Sequence, residues 1–423
     1  MFEKYYNGVI EQVYGKVEEA ENNIVMVCYN NSFSAEGLET IKRYSENRDN
    51  VFFTWKEFEQ GKLVGAYDPF LDVVCEIYRT HVKGDFDEFL TQYIAPDADI
   101  QMKIALFIKD GKSTLCIIEN HMCMDGGDLK YFLEFFCKNY NRYIEEGVSP
   151  IEFRTGSRSY DDVYSGFSKT ETGVAQRLFK NINARDNHKF PFTADNIRDT
   201  SFIARKKFSE EKLPLLKAKG KELGATINEL ILASYFYSVY ELAGYPESDK
   251  VMISNAIDLR RHMASVEDKG FTNHTSWMQC AIPERGKDIF ETVKYVVMSS
   301  NRFKKDKFMG LYGLPLLNFG YNILPHAASE EIIKIGYSNP LMAMSNIGIL
   351  KGESFILDGK EPVDAFMSGA VKYKPFVLLT VTTYKNVITL SMCVRGNEED
   401  KKIVNKFFEL MEKNLLTIIG IKD

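Results

Sequence analysis

His121 and Asp125 are the residues of this chain whose type and spacing most readily make a reacting site. They stand in the run Asn120-His121-Met122-Cys123-Met124-Asp125-Gly126-Gly127. An imidazole titrates near neutrality, so at pH 7 it can take a proton from a nucleophile and return it to a leaving group. An aspartate placed as Asp125 is can lock such a loop by pairing with an arginine. The glycines beside it allow tight backbone geometry and the close approach of a second surface. The chain has six histidines: His81, His121, His188, His262, His274 and His326. About 0.4 H-x-x-x-D matches are expected by chance, and roughly 0.03 once Gly must follow. His81 meets the looser pattern with Asp85, but Phe86 follows, and it reads as structural or solvated. His274 follows Asn273, echoing Asn120-His121, yet has Met278 in the fourth place and does not repeat the motif. Taken alone, a histidine at a strand end is more often a hydrogen-bonded structural residue than a catalyst.

The elements that must position this loop are legible around it. Residues 104–108 and 115–118 read as two strands joined by the turn Lys109-Asp110-Gly111-Lys112. A helix is expected over about 128–145, with Leu129, Phe132, Leu133, Phe136 and Tyr140 on its apolar face, ending before Gly147 and Pro150. Upstream, 24–29 reads as a short strand. The spacing of Leu71, Val74, Cys75 and Tyr78 predicts a helix over 70–82. Residues 152–200 are polar and irregular.

The second half opens with a strand near 201–208. A helix then runs from Ser209, as N-cap, to the stop at Gly224. The next helix starts at Thr226, with Glu229 completing a capping box, and runs to about Gly244. A strand over 251–257 ends at Asp258-Leu259-Arg260-Arg261. A strand over 276–282, a helix over 287–304, β-rich runs at 341–350, 363–371 and 376–394, and a helix over 398–418 complete the chain. Strands and helices alternate in both halves without a regular β-α-β cadence, which predicts a mixed α/β two-layer sandwich. Neither G-x-G-x-x-G nor G-x-x-x-x-G-K-[ST] is present, so dinucleotide and P-loop readings have no support.

Composition sets the outer limits. The 423 residues carry 53 Lys and Arg against 59 Asp and Glu, a formal charge of −6, with 45% apolar residues. These are globular proportions, and the length predicts two lobes. Mild acidity argues against broad nucleic-acid or anionic-membrane binding. The 7 cysteines are odd in number and form no C-x-x-C pair, so neither a metal site nor a disulfide framework is expected. A reducing, cytoplasmic setting follows as the default. No apolar leader region opens the sequence, and no run of about 18 apolar residues occurs. Cys123 makes a poor nucleophile, because its Met122 and Met124 neighbours raise a thiol pKa rather than lower it. The aromatic stripe Tyr131, Phe132, Phe135 and Phe136 reads as helix core, and Lys304, Lys305 and Lys307 as a solvated helix end.

The 120–126 run resembles the H-x-x-x-D-G signature of the chloramphenicol acetyltransferase-like superfamily. That group includes condensation domains of nonribosomal peptide synthetases, alcohol acetyltransferases, plant acyl-coenzyme A-dependent acyltransferases and polyketide-associated acyltransferases. Phe208-Ser209-Glu210-Glu211 through Gly224-Ala225-Thr226-Ile227-Asn228-Glu229-Leu230 is similar to the family's second-lobe opening. Asn255-Ala256-Ile257-Asp258-Leu259-Arg260 resembles its strand ending in Asp-Leu-Arg, and Ser345-Asn346-Ile347-Gly348 its Ser-Asn-x-Gly strand. The landmarks keep the family's order over about 110–400; the first 110 residues match loosely. Condensation domains usually carry two adjacent histidines, and here Asn120 replaces the first. The plant branch's D-F-G-W-G is absent. The resemblance therefore leans toward a standalone acyltransferase.

The resemblance implies two lobes of similar topology in a V with a central tunnel, divided here as 1–175, a 176–200 connection and 201–423. It implies transfer of an acyl group from a thioester to a hydroxyl or amine on a small-molecule acceptor. The donor would be acyl-coenzyme A or a phosphopantetheinyl thioester on a carrier protein acting in trans, with no permanently bound cofactor and no metal. His121 would be the general base. Asp125, with Gly126, would support the loop through an arginine, Arg260 being the first candidate. Ser345 and Asn346 would be oxyanion or tunnel residues. A non-catalytic condensation-like module that binds a carrier protein or biosynthetic partner is the alternative.

Overall fold

The computed structural model describes residues 24–31, 58–59, 62–63, 75–78, 86–94, 102–109, 112–121, 124–146, 160–177, 186–195, 199–266, 270–312, 314–315, 340–357 and 359–421. His81, Met122, Cys123 and His326 lie outside them. The chain forms two compact units. One comprises Met1–Phe167, Arg260–His274 and Ile349–Ala370; the other comprises Ser168–Leu259, Thr275–Gly348 and Val371–Asp423. The contiguous division at 1–175, 176–200 and 201–423 places 260–274 and 349–370 in its C-terminal lobe, whereas both segments return to the first unit.

The first unit is built on a five-stranded sheet. Its strands are β1 (Ile24–Asn31), β4 (Cys75–Tyr78), β5 (Met102–Lys109), β6 (Lys112–Asn120) and β11 (Asp364–Ser368), in the order β11-β1-β6-β5-β4. Two further short strands, β2 (Phe58–Glu59) and β3 (Lys62–Leu63), pair with each other. β5 and β6 are antiparallel, closing at Lys109↔Lys112, where the sequence placed the turn. β1 runs parallel to both β6 and β11. Residues 115–120 of β6 are all buried, so both faces of this strand are covered. A short helix, α1 (Phe86–Leu90), precedes β5, and α2 (Gly126–Glu146) follows β6. Leu129, Phe132, Leu133, Phe136 and Tyr140 of α2 are buried as their spacing requires. Tyr131, expected in the core, is 48% exposed, because it falls outside that face. Asn141 Nδ2 donates to the Ile356 carbonyl at 2.7 Å, bracing the helix against the returning 349–370 segment.

The second unit has a seven-stranded sheet of β7 (Thr200–Phe208), β8 (Met252–Asp258), β9 (Thr275–Ala281), β10 (Met342–Leu350), β12 (Lys372–Tyr373), β13 (Val377–Tyr384) and β14 (Val387–Gly396). The order is β12-β14-β13-β10-β8-β9, with β7 antiparallel to β14. Its helices are α3 (Lys169–Ala175), α4 (Lys212–Leu223), α5 (Ile227–Ala243), α6 (Ile289–Lys304) and α7 (Glu398–Ile418). Ile388, Leu390, Met392 and Val394 alternate along β14 and join Leu230, Phe236, Val293 and Phe407 of the helices in one core. A sheet face packed on helices is the two-layer α/β arrangement expected.

Two local expectations change. Cys75–Tyr78 is a strand, pairing with β5 from Cys75↔Met102 to Tyr78↔Ala105; sheet pairing overrides the helical spacing there. Ser209 does not cap α4. Its hydroxyl bonds to the Glu211 carboxylate and its carbonyl accepts from Lys212 N at 3.0 Å, so the helix begins after this turn. The start at Thr226 is as read: Thr226 and Glu229 form the capping box, and Gly224 and Gly244 close α4 and α5 in the left-handed conformation.

Candidate active site

β6 ends at Asn120 and α2 begins at Gly126, so His121 and Asp125 sit on the connection between them. Asp125 starts the helix. Its Oδ1 accepts from the Gly127 and Asp128 amides at 3.0 and 3.1 Å, and its carbonyl accepts from Leu129 N at 2.8 Å. This is the N-cap arrangement, which satisfies donors that a helix start leaves unpaired. Gly126 is therefore the first residue of α2, placed directly after its cap.

The segment after β8 closes over this helix start. Arg260 lies in a short 3-10 turn, Leu259–His262. Its Nη1 contacts Asp125 Oδ1 and Oδ2 at 3.1 and 2.9 Å, and its Nη2 lies 2.7 Å from Asp128 Oδ2 and 3.2 Å from the Thr272 carbonyl. The backbone of 272–274 completes the clasp. Thr272 N donates to Asp128 Oδ2 at 2.6 Å and His274 N to Asp125 Oδ2 at 2.7 Å, while the Thr272 carbonyl accepts from Asp125 N at 3.3 Å. Phe271 seats the same segment on α2, edge-on to Phe132 and Phe135 at centroid distances of 5.9 Å. At its other end, the His262 carbonyl accepts from Gly166 N at 3.1 Å.

Arg260, Asp125 and Asp128 are all buried. Burial pushes the Asp128 carboxyl up to about 7; the Arg260 guanidinium opposes this and the Asp125 carboxylate adds to it. A third carboxyl completes the cluster. Glu119, two residues before His121, is 0% exposed, and neither of its oxygens has a hydrogen-bond partner among the described residues. Burial, then Asp125 and Asp128, raise its pKa well above the ordinary range.

His121 is half-buried. The carboxamide nitrogen of Asn273 lies 3.1 Å from its Nδ1 and also donates to its main-chain carbonyl. Asn120 is buried, with its Nδ2 3.5 Å from the Ile94 carbonyl. The structure thus brings His121, Asp125, Gly126 and Arg260 into one neighbourhood of the first unit. Ser345 and Asn346 belong to the second unit, on β10. Asn346 donates to Asn228 Oδ1 and accepts from Gly348 N, both at 2.9 Å. Ser345 is half-buried and makes no side-chain hydrogen bond among the described residues. Lys304 is exposed, as expected of a solvated helix end, and also pairs at 2.7 Å with the buried Glu229.

Asp128, Glu119 and Asn273 were not read as site residues. A weak signal existed for each: an acid in the first turn of a helix, an acid closing an apolar strand, and an asparagine before a second histidine. Among the described residues no three His, Cys, Asp or Glu side chains are grouped to hold a metal ion. No helix there is long and apolar enough to cross a membrane.

By sequence, neither a family model nor a curated protein matches the chain. Solved structures do. The chain is similar to the epimerization domain from the third module of tyrocidine synthetase B, with 15% identity and a TM-score of 0.53, covering 92% of this chain and 90% of that one. It is also similar to polyketide synthase associated protein 5 from Mycobacterium tuberculosis, at 14% identity and a TM-score of 0.51, over 91% and 92% of the two chains. The first condensation domain of the CDA synthetase follows at 11% identity and a TM-score of 0.53, over 93% and 91%. These likenesses establish a condensation-type, chloramphenicol acetyltransferase-like fold over about nine-tenths of the chain.

Proposed function

We propose that this chain is an acyltransferase that moves an acyl group from a thioester to a hydroxyl or amine, with His121 as the general base. The observation that carries the reading is the fastened loop. The only histidine followed by the x-x-x-Asp-Gly spacing sits on a connection tied down by Arg260, Asp128 and residues 272–274. A trichothecene 15-O-acetyltransferase from Fusarium sporotrichioides is among the similar folds, at 16% identity and a TM-score of 0.51, which fits transfer to a hydroxyl.

In this reading the acceptor O–H or N–H gives its proton to Nε2 of His121 as its oxygen or nitrogen bonds to the thioester carbonyl carbon. The tetrahedral oxyanion then collapses, the C–S bond breaks, and the thiolate takes the proton back from Nε2. Asp125 and Arg260 hold the loop and touch no reactant. Ser345 is the better candidate for oxyanion stabilisation, since the Asn346 carboxamide is already engaged by Asn228 and Gly348. The donor, coenzyme A or a carrier protein, is part of the proposal.

The test is a panel of acyl-coenzyme A and phosphopantetheine thioesters, with free thiol measured with and without alcohols and amines. Thiol release that depends on the acceptor, with one acylated product per thiol, is expected. Release that ignores the acceptor would mean hydrolysis. No release by folded protein would favour a binding module without turnover.

A further inference from the structure

The contact between Asn273 and His121 is specific in a way that spacing alone would not suggest. One carboxamide nitrogen meets two atoms of one residue, its main-chain carbonyl and its ring Nδ1, the latter at 3.1 Å. An amide nitrogen has two hydrogens and accepts none, so it can serve both only while Nδ1 carries a lone pair. The proton of the neutral ring then resides on Nε2. A base acting through Nε2 requires the reverse, with the proton on Nδ1 and the lone pair on Nε2. The oxygen of the same carboxamide would accept that Nδ1 proton if the group turned over. Asn273 Oδ1 makes no hydrogen bond among the described residues, so the His121 carbonyl is the one acceptor there that favours the present orientation. The backbone on either side is fixed, through Thr272 N to Asp128 and His274 N to Asp125. The side chain can therefore turn over without the backbone moving.

We propose that Asn273 is the positioning residue that sets the tautomer of His121. With its nitrogen toward the ring it holds the proton on Nε2; with its oxygen toward the ring it holds the proton on Nδ1 and makes Nε2 the base. The inference rests on His121 being the base, but the tautomer itself can be observed without turnover. Among the described residues, the charged groups of the same neighbourhood include Asp125 and Asp128 at the start of α2, Arg260 bonded to both, and Glu119 two residues before His121. All are retained in the variants below.

The experiment combines nitrogen NMR of 15N-histidine-labelled protein with the pH profile of acyl transfer, in wild type, Asn273→Asp and Asn273→Leu. His121→Gln assigns the resonance. In the empty wild type, the His121 signal should be that of an Nε2-protonated ring. Asn273→Asp offers only oxygen, so its ring should carry the proton on Nδ1. That variant should keep transfer, with the acid limb moved to higher pH by the new carboxylate. Asn273→Leu should lose control of the tautomer and lower kcat by about tenfold or more, with KM little changed. Identical His121 tautomers in all three proteins would overturn the proposal, as would wild-type kcat and pH profile in Asn273→Leu. If His121→Gln retained full transfer, the base assignment would fail on its own, and the NMR comparison would still decide the role of Asn273.

Discussion

At the scale of single residues, the candidate site is an electrostatic problem solved with one cation. Arg260 serves both Asp125 and Asp128 in a buried setting, at 2.9 and 2.7 Å. Removing one partner of such a group leaves an uncompensated buried charge. Arg260→Met should therefore lower unfolding stability by about 3–5 kcal/mol in urea titrations. Glu119 makes the second prediction. Its folded pKa is raised, so its contribution to stability is complete below the ordinary carboxylate range and is lost as pH rises through the folded value. Asp128, raised to about 7, spends its own share below that point. As pH rises from the ordinary carboxylate range to the folded value of Glu119, then, wild type should lose melting temperature relative to Glu119→Gln, which has nothing to ionise. Melting temperatures of the two proteins that run parallel as pH rises above the ordinary carboxylate range would refute the raised pKa of Glu119. Asp125 was legible from its spacing to His121, and Arg260 because the resemblance supplied it. Glu119, Asp128 and Asn273 were not, because their meaning depends on contacts between segments far apart in the chain.

At the scale of elements, the second unit was read more closely than the start of the first. α5 shows why. Thr226 and Glu229 exchange reciprocal bonds, and Gly244 ends the helix in the left-handed region, so both signals are local. Thr226→Ala should cost about 1 kcal/mol of stability, read from denaturant midpoints. Where an element is decided by its partner, sequence misled. The apolar spacing at Cys75 and Tyr78 suits a helix, but β5 recruits those residues as a strand. The returning segments follow the same logic. Nothing local in 260–274 announces that its bonds go to the start of α2, yet Gly166 leaves no room for a side chain beneath the His262 carbonyl. Gly166→Ala should loosen that end of the segment and appear as faster amide exchange over 262–264.

At the scale of the molecule, length and composition indicated two units of mixed α/β structure, and two units are present. What they could not indicate was that the chain leaves the second unit twice to complete the first. That exchange supplies Arg260 and Asn273 to the loop carrying His121, so the candidate site is built from residues more than 130 positions apart in sequence. The net charge of −6 gives no sign of a strongly basic docking face, and the donor is left to experiment. The central claim is that His121 is the base of an acyl transfer. The most direct measurement compares wild type with His121→Ala for acceptor-dependent thiol release, alongside the melting temperature of each. Transfer should fall by about 10²- to 10⁴-fold in His121→Ala with an unchanged melting temperature. Undiminished transfer by folded His121→Ala would contradict the claim.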